Sequence, residues 1–134
     1  MKRFLSMIAG ACALGMVAAC SMSKDSTASS AQPVPVTGIL IDQACGSKMM
    51  AEADPEKAAA DHPKSCATKA DCAASGYSVI SGKEMLKFDD NGNLLAKEYL
   101  QKTPKEDDLR VNVQGTREGD TIAVTSITAA DDMK

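Results

Sequence analysis

The sequence predicts an all-β domain with one helix, its five strands in the order β-β-β-α-β-β and closed into a small barrel. Three observations carry that expectation. Five short runs of β-branched and aliphatic residues lie between residues 36 and 127, bounded by Gly, Asn, Asp or Pro. A single helical pattern falls between the third and fourth runs. The connection between the first two runs is long and holds all the cysteines and histidine of that region.

Taken in order, "VTGILID" (36–42) is a β-branched run and the first strand. "YSVIS" (77–81) and "EMLKFD" (84–89) follow as two short alternating runs split by Gly82 and Lys83, the spacing of a tight hairpin. "DDNGN" (89–93) has turn chemistry. Asp89, Asn91 and Asn93 alternate as in a calcium loop, but Gly92 comes before Asn93 where the loop needs its glycine after, and Leu100 stands where the closing glutamate belongs. In "LLAKEYLQK" (94–102), Leu95 and Tyr99 are four apart and Glu98 precedes Lys102 by four. That is an amphipathic helix, stopped by Thr103-Pro104. "LRVNVQG" (109–115) puts Leu109, Val111 and Val113 on one face and Arg110, Asn112 and Gln114 on the other. "TREGD" turns the chain into the last strand, "TIAVTSI" (121–127). Five strands with a helix between the third and fourth is the connectivity of the OB-fold, so the expected architecture is a small OB-like five-stranded barrel.

The connection from Gln43 to Gly76 is expected to be partly helical. In "DPEKAAAD", Asp54 can cap a short helix that has Pro55 at its first position, and residues 65–74 can form another turn or two. In OB-folds the loop after the first strand borders the usual ligand face, which by analogy places this segment where a function would sit.

Ahead of the domain, "MKRFLSMIAGACALGMVAAC" has a positive start at Lys2 and Arg3 and an apolar stretch too short for a comfortable membrane span. Its end, Val17-Ala18-Ala19-Cys20, resembles the lipobox of bacterial lipoproteins. That resemblance implies cleavage of residues 1–19 and lipidation of Cys20 as the new N-terminus. With Ser21 next, it also implies anchoring at the periplasmic face of the outer membrane. Two or three acyl chains anchor stably where one does not. Residues 20–35 are polar, rich in Ser and Ala and end in Pro33 and Pro35. They read as a tether spanning roughly 20 Å, with residues 36–134 forming one domain.

Removing residues 1–19 takes away Lys2, Arg3 and no acid, and moves the formal charge from -3 to -5. An acidic envelope protein with only Tyr77, Phe88 and Tyr99 as aromatics lacks both the basic footprint and the stacking surface that nucleic acid needs. The expected partner is therefore the membrane through the lipid, with a protein or small ligand left open.

With Cys12 removed and Cys20 lipidated, three thiols remain in the processed chain: Cys45, Cys66 and Cys72. In an oxidising compartment two can pair and one is left over. Cys66 and Cys72 are six apart and fall on different faces of a continuous helix, so Cys45 with either is the easier bridge. Such a bridge closes a loop of about 20–30 residues and contributes about 3 kcal/mol. The metal reading takes Cys45, His62, Cys66 and Cys72 as a closed site for zinc or copper, although the spacing is not a standard zinc signature. Met49 and Met50 add thioethers that suit Cu(I), but adjacent methionines in an Ala-rich stretch usually fill a core. The third reading, thiol redox chemistry, lacks a C-x-x-C motif. A lone histidine in this loop forms no Ser-His-Asp pattern, and no catalytic residue is assigned.

The matching positions Gly38, Asp42 and Cys45, then His62, Cys66, Cys72, Gly76 and Tyr77, form the pattern G-x3-D-x2-C…H-x3-C-x5-C-x3-G-Y. Phe88, Asp89, Gly92 and Asn93 follow, and the stretch from Val113 and Gly115 to Gly119, Asp120, Thr121, Ile122 and Val124 closes it. On these residues the chain resembles a group of small exported bacterial proteins without an established activity. The resemblance implies export and one compact β-rich domain. The functional expectation is a lipid-anchored, non-catalytic binding or envelope-maintenance module whose Cys/His loop is stapled by a disulfide and needs no cofactor. The alternatives are a soft-metal-binding lipoprotein and a thiol redox protein.

Overall fold

The computed structural model describes residues 33–130. The signal-like segment and Cys20 lie outside them. Strands β1 (Pro33–Asp42), β2 (Tyr77–Ser81), β3 (Glu84–Phe88), β4 (Arg110–Glu118) and β5 (Thr121–Ala129) form one closed barrel in the order β1-β2-β3-β5-β4. All pairings are antiparallel except β3 with β5, where Lys87 faces Thr121 and Phe88 faces Ile122. That parallel closure, with the main helix between β3 and β4, is the expected OB-like barrel.

The first strand starts three residues earlier than its hydrophobic pattern indicates. Pro33 pairs with Thr116, Val34 with Gly115 and Pro35 with Gln114, so three residues read as tether belong to the barrel. Proline lacks the N–H that a second neighbour would need, and this end of β1 has only β4 beside it, since β2 joins from Ile39 onward. Gly38 and Gly115 serve closure. A Cβ on Gly38 would lie 2.3 Å from the Ile80 carbonyl oxygen, and one on Gly115 would lie 2.2 Å from that of Ala123.

Helix α5 (Asp90–Lys102), numbered after four short helices described below, includes "DNGN", which the sequence alone presents as a turn. Asp89 is its N-cap: Oδ1 accepts from Gly92 N–H at 2.9 Å and from Val124 N–H at 3.1 Å. Asn and Gly are poor helix formers but tolerable in a first turn held this way, and Gly92 lets the turn lie against Val124 and Phe88. The helix closes one end of a core containing Leu40, Tyr77, Val79, Leu86, Phe88, Val111, Val113, Ile122 and Val124.

The connection between β1 and β2 folds into α1 (Gln43–Met49), α2 (Pro55–Ala60), α3 (Lys64–Ala67) and α4 (Ala70–Ala74). Asp54 caps α2 with Pro55 at its start, as the sequence indicates. The helices cover the outer face of β1 and β2, forming a second apolar cluster of Ile39, Ile41, Ala59 and Ile80. Cys45, Met49, Met50 and Met85 pack against it, which gives the two adjacent methionines the ordinary role of core filler. Burial on both faces explains why "GILI" is an unbroken apolar run. The helical layer is tied elsewhere by Asp108 N–H to Ala60 O at 2.8 Å, Lys64 N–H to Glu106 O at 2.7 Å, and the Arg110–Glu56 ion pair. Among the described residues no helix is long and apolar enough to cross a membrane.

Gly38→Ala and Gly115→Ala are each expected to cost about 2–3 kcal/mol, because backbone carbonyls cannot yield to the added methyl. Gly82→Ala, in open space at φ +59°, should cost about 1–2 kcal/mol from conformation alone. Urea denaturation of the three variants checks this order.

Candidate functional site

Asp42, the last residue of β1, starts the site. Its side chain is completely buried, and Oδ1 accepts from Cys45 N–H at 2.9 Å, capping α1. This bond turns the strand directly into the helix and fixes Cys45 on the first turn. His62 follows α2, with its backbone N–H bonded to Ala59 O at 3.1 Å, and is 8% exposed. Cys66 lies in α3 and Cys72 in α4. Between them the helix breaks: Thr68 is the C-cap of α3, and Lys69 is extended at ψ 144° before α4 begins. The break overturns the premise of a continuous helix, and two cysteines placed on opposite faces by spacing meet after all.

The four expected ligands, with Asp42 as a fifth residue, gather as two overlapping triads. The Sγ atoms of Cys45, Cys66 and Cys72 lie within 4.8 Å of one another, and the same limit holds for ligand atoms of Asp42, Cys45 and His62. Cys45 belongs to both. All three cysteines are free thiols and partly exposed. Asp42 was not among the assigned ligands, though its signal was present: an Asp ending a strand three residues before the cysteine is in N-cap register.

The base of the loop is closed by polar contacts. Gln43 N–H donates to Gly76 O at 2.9 Å and its side-chain amide to Tyr77 O at 3.1 Å. The Ser75 hydroxyl accepts from Ala44 N–H and donates to Cys72 O, linking α1 to α4. Gly76, at φ +85°, makes the turn back into β2. Tyr77 rises from the barrel core, and its hydroxyl donates to Ala67 O at 3.1 Å, holding α3 over the barrel.

Electrostatics in the cluster favour the protonated thiols of Cys45 and Cys72. Burial, then the Asp42 carboxylate and the neighbouring sulfurs, push Cys45 up to about 12. Cys72 is raised by partial burial, Asp42 and Cys66. Tyr77 is raised by burial, Asp42 and Cys72. Burial lowers His62 against the opposing pull of Asp42, so its imidazole stays neutral with a lone pair available. The site concentrates donors and one buried acid, and among the described residues no Lys or Arg counters the rise of Cys45 or Cys72, as a reactive thiolate would need.

Comparison with protein-family models, curated proteins and solved structures finds no match for the chain.

Tyr77→Phe removes only the bond to Ala67 and should cost about 1 kcal/mol. With α3 loosened, Cys66 should alkylate faster while Cys45, held by α1, keeps its rate. Mass-spectrometric alkylation kinetics on the reduced protein would show it; equal rates for Cys66 in both proteins would mean that Tyr77 does not hold α3.

Proposed function

We propose that this protein is a lipid-anchored envelope protein that binds a soft metal ion, Cu(I) foremost, through the thiolates of Cys45, Cys66 and Cys72. The observation that carries the reading is the convergence of three sulfurs from three separate helices to within 4.8 Å. Three thiolates around an ion with 2.3 Å bonds lie about 4 Å apart, so binding needs little movement. A disulfide uses two of them and gives the third no task. The raised Cys45 and Cys72 fit the same account, because a bound cation is what converts such thiols to thiolates. They speak against a redox enzyme, whose attacking thiol is normally lowered. Soft sulfur donors select Cu(I) over harder ions.

The disulfide staple remains the second reading, and one observation favours it: the same proximity lets any two of the three thiols join under oxidation. Reduced protein titrated with Cu(I) against a chromophoric chelator separates the two. Each of Cys45→Ser, Cys66→Ser and Cys72→Ser should weaken Cu(I) binding by roughly a hundredfold or more, whereas His62→Ala should change it little. Protein recovered from the envelope with one titratable thiol and no Cu(I) affinity would overturn the metal reading in favour of the staple.

The anchor has its own test. Cys20→Ser should abolish lipidation and shift the protein from the membrane fraction to soluble or unprocessed forms. Unchanged processing and fractionation would reject the lipobox.

A further inference from the structure

The buried half of the cluster holds an anomaly that three thiols do not explain. Asp42 Oδ2 and His62 Nε2 are both buried and neither has a hydrogen-bond partner. Each such orphan costs about 1–3 kcal/mol, and buried polar atoms left unpaired in a native fold usually mark a role. The two atoms are 3.9 Å apart. At that distance no hydrogen bond joins them. Two ligands on a tetrahedral ion with 2.0–2.1 Å bonds lie about 3.3 Å apart, so a shift of roughly half an ångström would suffice.

The carboxylate is already aimed. Oδ1 accepts from Cys45 N–H, which leaves Oδ2 free and 3.9 Å from His62 Nε2, and one ligand atom each of Asp42, Cys45 and His62 lie within 4.8 Å of one another. Asp42 is 0% and His62 8% exposed, whereas Cys66 and Cys72 are partly open to solvent. The cluster therefore has a closed inner end and an open outer one, with Cys45 between them.

We infer that Asp42, Cys45 and His62 form a second, inner metal position for a borderline divalent ion such as Zn(II), distinct from the outer thiolate pocket and sharing Cys45 with it. One carboxylate, one thiolate and one neutral imidazole are the mixed O, S and N donors that Zn(II) accepts and Cu(I) does not prefer. An ion there would satisfy both orphaned atoms at once, and its double charge would be balanced by Asp42 and the Cys45 thiolate. The inner position does not depend on the outer pocket binding copper, since it needs neither Cys66 nor Cys72.

Co(II), a spectroscopic stand-in for Zn(II), tests this in the reduced Cys66→Ser/Cys72→Ser protein, where Cys45 is the remaining thiol of the cluster. One equivalent of Co(II) should bind, with a near-ultraviolet thiolate-to-cobalt band and visible bands of a four-coordinate ion, water completing the three protein ligands. Zn(II) should displace it. Asp42→Asn, which keeps a side-chain oxygen to cap α1, and His62→Ala should each weaken binding by roughly a hundredfold in that background. Circular dichroism serves to confirm folding, and His62→Gln is the second histidine variant should alanine disturb packing. Absence of the thiolate band, or equal affinity in the Asp42→Asn and His62 variants, would overturn the inner position. Loss of Cu(I) binding in the wild-type protein would instead strike the outer pocket alone.

Discussion

The carboxylate of Asp42 joins the two layers of this protein. It ends the first barrel strand and, through one oxygen on Cys45 N–H, begins the first helix of the insert. A fully buried carboxylate is costly unless its oxygens are satisfied. The first oxygen is satisfied by the cap. The carboxylate as a whole shapes its surroundings: it helps to push up Cys45, Cys72 and Tyr77 and opposes the lowering of His62. One side chain thus sets strand end, helix start and the polarity of the cluster.

Around that joint, the barrel and the insert depend on each other. β1 and β2 carry apolar residues on both faces, with Leu40, Tyr77 and Val79 inward and Ile39, Ile41 and Ile80 beneath the helices. Without the helical layer, the outer set would be a bare apolar patch on a small barrel. Without the barrel, helices of four to seven residues could not persist, since isolated helices that short are unstable in water. The cysteines therefore sit on a layer whose order comes from packing, Tyr77 and the closed loop base, and need not come from a covalent bridge.

The same arrangement constrains the chemistry. Partly exposed sulfurs face outward, while the acid and the imidazole lie behind them. An exchangeable ion at the outer sulfurs and a more enclosed one behind them would differ in donor softness and in access.

The sequence by itself determined the barrel. Strict alternation in "LRVNVQG", the Gly82-Lys83 hairpin and the Pro104 stop are local signals whose physics is complete within a few residues. It also singled out Cys45, His62, Cys66 and Cys72, because such side chains are so few. Two boundaries escaped it. Pro33 and Pro35 read as tether because their fitness for a strand depends on having a single neighbour, and "DDNGN" read as a turn because its helix is held by Val124, far along the chain. How the site residues group was decided by the tertiary structure alone. Helical spacing separates Cys66 from Cys72, and only the break at Thr68 and Lys69, with α3 held to the barrel by Tyr77, brings them together. Asp42 became a site residue because burial stripped its second oxygen of water. Burial is a property of everything packed around a residue, and no local stretch of sequence records it.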